Sequence, residues 1–309
     1  MTSTNPHRRS DLLGLLFALV FASSAAGLMA AADAPSLAIA FWRNALAAFL
    51  LLPALVRHRT ALRSLQRAQW LRMTTAGALL GLHFACWVPS VKLTSIAAAT
   101  SLVATQVVWA AAFARLAGRR VPRTQALGIA VALLGVVVLT GIDLTLSPKA
   151  ITGDVLALLG AMAAAAYMHN GQAVRPHLPL SAFTAVMYLT AAATLFVICA
   201  FGRVHLAGFS PHAWLLIAAV TGFAQFGGHT LFNRALRSFS ATAVSIAILF
   251  QVPGGILLGW AIAGQAPRQA LFPAVALIAV GVALVIRAER PHTVEMEAGL
   301  DERHVGASR

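Results

Sequence analysis

Ten apolar runs, each about 20 residues long, most strongly constrain what this 309-residue chain can fold into. A run of that length rises about 30 Å as an α-helix, which matches the hydrocarbon thickness of a bilayer. Only 10% of the residues are charged, whereas soluble proteins carry about 25%. The sequence therefore predicts an all-α integral membrane protein with ten transmembrane helices. The predicted spans are 11–31, 36–56, 70–89, 94–116, 122–141, 153–174, 180–200, 212–233, 240–263 and 268–287.

The lysines and arginines predict how the chain is oriented. With the N-terminus in the cytoplasm, 18 of the 23 are assigned to the cytoplasmic side and four to the outside, and Arg43, deep in the second span, is the one left over. Cytoplasmic loops of membrane proteins carry such an excess, so both termini are expected in the cytoplasm. The net charge of +14 is spread over these short loops and does not indicate nucleic-acid binding. The preference for arginine and alanine favours a bacterial cytoplasmic (inner) membrane.

The chain also repeats itself. At a shift of 145 residues, "TSIAAATSLVATQVV" lies over "FSATAVSIAILFQVP", so that Ser95 meets Ser240 and Gln106 meets Gln251. Five spans per half is an odd number, which places the halves in opposite orientations. Inverted repeats of this kind are typical of secondary transporters, whose sites lie near the midplane between the halves. The predicted segments are a cytoplasmic start (1–10), a first repeat (11–141), a connecting loop (142–152), a second repeat (153–287) and a disordered cytoplasmic tail (288–309).

Three stretches resemble the EamA family of the drug/metabolite transporter superfamily. They are "FWRNALAAFLLLP" in the second span, "ARLAGRRVPRTQALGIAVALLGVVVL", and its counterpart "AIAGQAPRQALFPAVALIAVGVALV". The glutamate that commonly follows a glycine at the ends of the fourth and ninth helices is replaced by Arg119 and Gln265, whereas the proline of the ninth helix is present as Pro253. The resemblance covers residues 11–287 and implies membrane transport of a small molecule, often export of amino acids or other metabolites.

Enzymatic signatures are absent from the sequence. It contains no HExxH, no P-loop and no glycine-rich dinucleotide loop. All nine acidic residues lie at helix ends, in loops or in the tail, which removes the commonest proton or sodium relay. We therefore expect no catalytic residues, no cofactor and no metal site. A membrane enzyme acting on lipid-linked substrates, and a structural or sensory membrane protein, are the alternatives to a transporter. The expected partners are a small-molecule substrate and the bilayer, and the sequence leaves a homodimer open.

Arg43 lies seven residues into the second span, where a buried charge is costly. One interpretation has its side chain reach the outer interface, or pair with Asp33 or Asp154. The other has it face the cavity and bind an anionic group such as a carboxylate. At the 145-residue shift its counterpart is Tyr188, a further candidate substrate-binding residue, so the second half has no matching charge. Asn44, on a different face, is expected to bond between helices.

Gln106 and Gln251 fall near mid-membrane in equivalent spans. A buried amide needs partners, and an interhelical hydrogen bond would supply them. The alternative is that both amides line a substrate cavity, with Trp109 one turn from Gln106 as an aromatic wall. Trp109 facing lipid or a packing surface is the competing interpretation.

A second set of polar residues is predicted near the cytoplasmic ends of the sixth and eighth spans, where it would form an inner vestibule or gate. Neutral, hydrogen-bonded packing is the alternative for its histidines. His83 is predicted in the outer half of its span, a depth that argues against a three-histidine metal site. The candidate vestibule or gate residues are His83, Tyr167, His169, Asn170, Gln225 and His229, with Asn233 beside them.

Small residues and helix-end acids complete the predictions. Pro253, Gly254 and Gly255 are a candidate hinge, with close helix packing as the alternative. Gly128, Ala132 and Gly135 lie on one stripe and predict helix packing.

Asp11 and Asp154 begin equivalent spans, and we expect both carboxylates to cap their helices. Cys86 and Cys199 are expected to be small packing residues.

Overall fold

The computed structural model describes residues 6–119, 121–140, 147–263 and 271–288. Within these residues every regular element is a helix. Residues 142–146 of the predicted connecting loop and the tail beyond Ala288 lie outside the described residues. The α-helices are α1 (Pro6–Ala31), α2 (Ser36–Arg57), α3 (Arg59–Arg63), α4 (Arg67–Leu93), α5 (Ile96–Ala104), α6 (Gln106–Leu116), α7 (Arg123–Thr140), α8 (Pro148–Gln172), α9 (Leu180–Phe201), α10 (Pro211–Ala219), α11 (Leu231–Ala235), α12 (Ala241–Ala247), α13 (Gln251–Ala263) and α14 (Leu271–Ala288). A π-helix, Val220–Thr230, joins α10 to α11, and short 3-10 helices occur at Arg175–His177 and Ile248–Phe250.

Eight continuous helical stretches of the described chain are long and apolar enough to cross a membrane. The ten-span prediction is therefore only partly supported. The other two apolar stretches, Arg123–Val138 in α7 and Phe272–Val285 in α14, are shorter than 18 residues. At 1.5 Å per residue they fall short of a 30 Å hydrocarbon core, which is why length alone does not establish them as spans.

The repeat seen in the sequence is matched by local structure. Ser95 caps α5 by accepting a hydrogen bond from the Ala98 amide (3.0 Å). In the same way, Ser240 caps α12 by accepting a hydrogen bond from the Ala243 amide (3.1 Å). The stretch after each cap is interrupted before its glutamine, at Thr105 between α5 and α6 and at Ile248–Phe250 between α12 and α13. Equivalent sequence positions therefore carry the same cap and the same break.

Helix packing follows the same correspondence between halves. In the first half α1 packs against the π-helix and α13, and in the second half α8 packs against α4, α5 and α6. Two further pairs, α2 with α9 and α7 with α14, join equivalent helices of the two halves. The core therefore lies between the halves, and a central site would be built from both.

Glycines allow very close contact in two helix pairs, α7 with α14 and α4 with α9. A Cβ on Gly128 of α7 would lie 2.7 Å from the Gly281 carbonyl oxygen of α14, and a Cβ on Gly281 would lie 2.6 Å from Ala132. This agrees with the packing role predicted for the Gly128 stripe. Between α4 and α9, a Cβ on Gly81 would lie 2.9 Å from the Ala191 carbonyl oxygen. Backbones can approach this closely only where no side chain separates them.

The structure contradicts the capping role predicted for Asp11 and Asp154. Because α1 begins at Pro6 and α8 at Pro148, both carboxylates lie beyond the first helical turn. Ser147 caps α8 instead, through the Ala150 amide. Asp11 is 1% exposed and pairs with Arg234, whereas Oδ1 of Asp154 is buried without a hydrogen-bond partner.

The candidate hinge lies inside α13. The break in this stretch precedes Gln251, whereas Pro253, Gly254 and Gly255 all follow it within the helix. Gly254 packs directly onto the Ser23 side chain of α1, and a Cβ there would overlap the Ser23 hydroxyl. Close packing against α1 is therefore visible at Gly254, and the hinge remains a prediction.

Candidate functional site

A cavity lies between the two halves at the centre of the described helices. The volume open to the centre of a water-sized sphere is about 30 Å³. An adjoining cavity of about 20 Å³ shares Ala22, Trp87, Val103, Ile248 and Gln251 with it. The larger cavity is lined by Ala22, Ala25, His83, Trp87, Val103, Gln106, Ala164, Tyr167, Met168, Ala224, His229, Phe232, Ile248 and Gln251.

The two equivalent glutamines both line this cavity. Gln106 is the first residue of α6 and Gln251 the first residue of α13, so each follows the break in its stretch. The breaks thus bring the two side chains from opposite halves to one cavity. This arrangement matches the cavity-lining alternative for the pair.

Three cavity-lining side chains present polar atoms that have no hydrogen-bond partner among the residues that the structure describes. They are Nε1 of Trp87, the Tyr167 hydroxyl and Nδ1 of His229, all of which are buried. Trp87 is 8% exposed and Tyr167 is fully buried. Leaving such groups unsatisfied costs about 1–3 kcal/mol each, so a ligand that bonds to them would recover that cost.

His83 extends this polar, aromatic wall. Its Nδ1 lies 2.9 Å from the Gly160 carbonyl oxygen. Because a carbonyl can only accept, Nδ1 carries the proton and Nε2 of the neutral ring is an acceptor. The ring stacks on Trp87, with centroids 5.7 Å apart. The wall therefore offers hydrogen-bond donors and acceptors between aromatic faces.

The depth mismatch predicted between His83 and His229 is wrong. Their ring centroids are 6.2 Å apart, and both line the cavity. The prediction counted the α-helical rise, but His229 lies in the π-helix Val220–Thr230. A helix with i→i+5 bonds advances less per residue than an α-helix. His229 therefore lies nearer the start of its span than the α-helical rise predicts.

Arg43 is fully buried and does not contact the outer interface or pair with a carboxylate in the described chain. Its Nε donates to Oε1 of Gln225 (2.9 Å), and Nη1 lies 3.6 Å from the sulfur of Met29. The guanidinium carbon lies 4.2 Å from the centroid of the Phe84 ring. Nη2 has no hydrogen-bond partner. Arg43 is not among the residues that line the cavity.

Gln225 connects the residues around Arg43, and we call Arg43, Asn44, Tyr188, Gln225 and Thr230 the Gln225 network. Nε2 of Gln225 donates to Oδ1 of Asn44 (2.8 Å), so Arg43 and Asn44 bond the same amide. The bond joins α2 to the π-helix, as expected for Asn44, but Asn44 shares its partner with Arg43 instead of serving a different face. The main-chain oxygen of Gln225 accepts from Tyr188 (3.2 Å) and from the Thr230 hydroxyl (3.1 Å). Gln225 was predicted in an inner vestibule and lies instead beside Arg43.

The remaining predicted residues lie apart from the cavity. Trp109 is 38% exposed, in agreement with an outward-facing side chain. His169 contacts the ring of Phe113, at 6.3 Å between centroids, and is not grouped with His229. Asn170 donates to the Ala166 carbonyl of its own helix. Of the predicted vestibule, only His83, Tyr167 and His229 line the cavity.

A charged cluster at one end of the cavity helices was not foreseen. Asp11 of α1 accepts a hydrogen bond from Nε of Arg234 (2.8 Å) and another from the Ser238 hydroxyl. Nearby, Arg175 donates to the main-chain oxygens of Asn233 (2.9 Å) and Leu178 (2.8 Å). Burial lowers the pKa of Arg175 to about 10, so it stays protonated at neutral pH. The cluster ties the start of the first half to the second.

The described chain holds no group of three His, Cys, Asp or Glu side chains arranged to bind a metal ion. A polytopic helical membrane protein with two related halves and a central polar cavity has the architecture of a membrane transporter. The sequence profile of the EamA-like transporter family matches residues 8–141 and again residues 151–287. The chain therefore belongs to the EamA-like transporter family.

A solved structure shows the same fold. It is described only as a crystal structure of a protein, and it superposes with a TM-score of 0.71 at 19% sequence identity. The match covers 92% of this chain and 99% of the other. No curated protein is a significant match to this chain.

Proposed function

We propose that this protein is a secondary transporter, an exporter or exchanger, of a small polar metabolite such as an amino acid or related organic compound. The substrate site is the central cavity, with Gln106 and Gln251 as polar contacts from opposite halves. Residues 11–141 and 153–287 form inverted five-helix repeats, in which α7 and α14 complete the ten spans. The protein lies in the bacterial inner membrane with both termini in the cytoplasm.

The observation that carries this proposal is the composition of the cavity wall. Two amides from equivalent repeat positions line it, together with polar atoms of Trp87, Tyr167 and His229 that have no hydrogen-bond partner among the described residues. A mostly apolar cavity with a few converging polar groups is typical of a small-molecule site. None of the described residues that line the cavity is an Asp, Glu, Lys or Arg, which favours a polar substrate held by hydrogen bonds.

Contacts at the helix ends support the proposed orientation. Asp11 and Arg234, both assigned to the cytoplasmic side, form an ion pair. On the other side, Nζ of Lys92 donates to the main-chain oxygens of Ala32 (2.6 Å) and Ala34 (2.8 Å). Each contact joins segments that the charge bias assigns to one side. The Asp11–Arg234 pair also links the two halves, and its residues fall on one side only if the first half has an odd number of spans.

The size of the cavity indicates that transport needs helix movement. A buried water needs about 10–15 Å³ by the same measure, so about 30 Å³ holds only two or three waters. A metabolite can enter only if the halves separate. The described cavity is therefore too small for a metabolite, and alternating access would widen it and open it to one side at a time.

The experiment combines flux with cysteine labelling in reconstituted vesicles. Cys86 and Cys199 are first replaced with alanine, and cysteine is then placed at Gln106, Gln251 or, as a control three residues away, Trp109. A small water-soluble thiol reagent should modify the first two positions and spare the third. A metabolite panel should reveal a compound that moves across the membrane and slows both reactions. Absence of labelling at both glutamine positions places them in dry helix contacts, and absence of flux for every compound favours a structural or sensory protein.

A further inference from the structure

The π-helix Val220–Thr230 is the least regular part of the described core. Long π-helices are rare, and those that occur are frequently found at functional sites. This one spans 11 residues and has Gln225 at its middle. It is followed by α11, which carries Phe232 of the cavity wall and Arg234 of the charged cluster. The winding of this segment therefore sets how His229 and α11 meet the cavity.

The Gln225 network holds the segment at that middle residue. Gln225 is fully buried and bonds to α2 through both ends of its amide, to Arg43 and to Asn44. Its main-chain oxygen is bonded from α9 by the hydroxyl of Tyr188. Tyr188 is also 2.8 Å from the Thr230 hydroxyl at the end of the segment. Two neighbouring helices thus fix both the centre and the end of the π-helix.

The geometry favours an indirect role for Arg43. Its only hydrogen bond to nitrogen or oxygen in the described chain is to Gln225, and Phe84 contacts both its guanidinium and the edge of His229. The ring centroids of Phe84 and His229 are 5.0 Å apart. Arg43 therefore lies behind the cavity wall, next to the residues that shape it.

We propose that Arg43 is a positioning residue, which holds Gln225 and so keeps the π-helix in the winding that turns His229 into the cavity. This inference rests on the proposed function of the cavity. Without the Arg43 bond, the segment relaxes towards ordinary α-helical winding. Each residue of an α-helix turns 100° about the axis, so even a one-residue change in register carries His229 out of the wall. Arg43 thereby shapes the substrate site without contacting the substrate.

The test measures the position of residue 229 by thiol labelling, which does not depend on transport. The background lacks Cys86 and Cys199, and cysteine is placed at His229 or, as a second reporter outside the π-helix, at Gln106. Each reporter is combined with Arg43→Met, with Gln225→Met and with both. Thr184→Val is the matched control, because Thr184 is equally buried but bonds only within its own helix.

We expect Arg43→Met and Gln225→Met each to slow labelling at position 229 about tenfold, and the double variant to slow it no further, because residues that act through one contact are not additive. Labelling at position 106 should stay within twofold, and Thr184→Val should change neither reporter. If Arg43→Met does not fold, Gln225→Met gives the same test.

Three results would overturn the inference. They are unchanged labelling at position 229 in both single variants, an equal loss at position 106, and additive effects in the double variant. The first shows that the bond does not position His229, the second shows general collapse of the cavity, and the third shows that Arg43 acts independently of Gln225. Labelling that behaves as expected in a protein without measurable flux would leave the positioning role intact and reject the transport proposal.

Discussion

At the scale of single residues, the charged cluster shows how partners remote in sequence decide the role of a side chain. Asp11 resembles a helix cap in the sequence, yet its partner Arg234 lies 223 positions away. The carboxylate is 1% exposed. Besides Arg234, its hydrogen-bond and ion-pair partners in the described chain are the Ser238 hydroxyl and, at 4.0 Å, Arg237. Arg234 is thus the cation in direct hydrogen-bond contact with a buried carboxylate.

We predict that Arg234→Gln lowers the free energy of unfolding by about 1–3 kcal/mol, because a buried carboxylate loses its main hydrogen-bonding partner. Thermal unfolding in detergent micelles measures this as a lower midpoint. Arg63→Gln is the control, since that side chain is exposed. Adding Asp11→Asn should recover part of the loss, because no buried charge then remains. Equal midpoints for Arg234→Gln and Arg63→Gln would contradict the prediction.

At the scale of helices, the packing of α7 against α14 depends on close backbone contact, although both helices have short apolar stretches. Helices α7 and α14 have the shortest apolar stretches of the ten, yet they pack against each other along much of their length. Gly128 and Gly281 allow this contact, because each occupies the space that a side chain on the other would need. Packing of this kind depends on shape, which a single added methyl group changes.

We predict that Gly281→Ala destabilises the protein by about 1–3 kcal/mol, the usual cost of overfilling a packed interface. The added Cβ would lie 2.6 Å from atoms of Ala132, so the helices must move apart. Gly14→Ala is the matched control, because Gly14 is a buried helical glycine whose nearest neighbours would be 4.0 Å away. A Gly281→Ala protein that unfolds at the temperature of the parent would show that the helices already have room.

At the scale of the whole molecule, the charge bias and the repeat predict one topology. Eighteen basic residues inside against four outside require an even number of crossings between the termini. Eight spans would also give an even number, but without α7 the segments that hold Arg175, Arg234 and Arg237 would change sides. Only ten spans keep the count of 18 to four and give each half an odd number. The inverted arrangement therefore requires α7 and α14 to cross the membrane.

We predict that a reporter active only in the periplasm is inactive after Arg309 and active when inserted in the loop before Ser147. A reporter active only in the cytoplasm should give the opposite pattern. The decisive position is the loop before Ser147, since α7 separates it from the cytoplasmic Arg115–Arg123 region. A cytoplasmic signal there would mean that α7 does not cross, and would remove the inverted five-helix repeats.

The sequence by itself determined the class of protein, the helical stretches and the repeat. Apolar length and charge bias are local properties, so ten helical stretches could be located from residue order, and the profile match agrees with the resemblance in three short motifs. The equivalence of Gln106 and Gln251 was also visible, because the repeat preserves their spacing, and the structure places both at one cavity.

Only the tertiary structure decided which polar residues meet. The Arg43–Gln225 bond joins positions 182 apart, and nothing in either span indicates the other. The pairing of His83 with His229 was missed because the π-helix shortens the rise that depth counting assumes. A winding change of this kind depends on hydrogen bonds from neighbouring helices. The sequence specifies each helix through its own residues, whereas the shape of the site depends on contacts that exist only once the helices are packed.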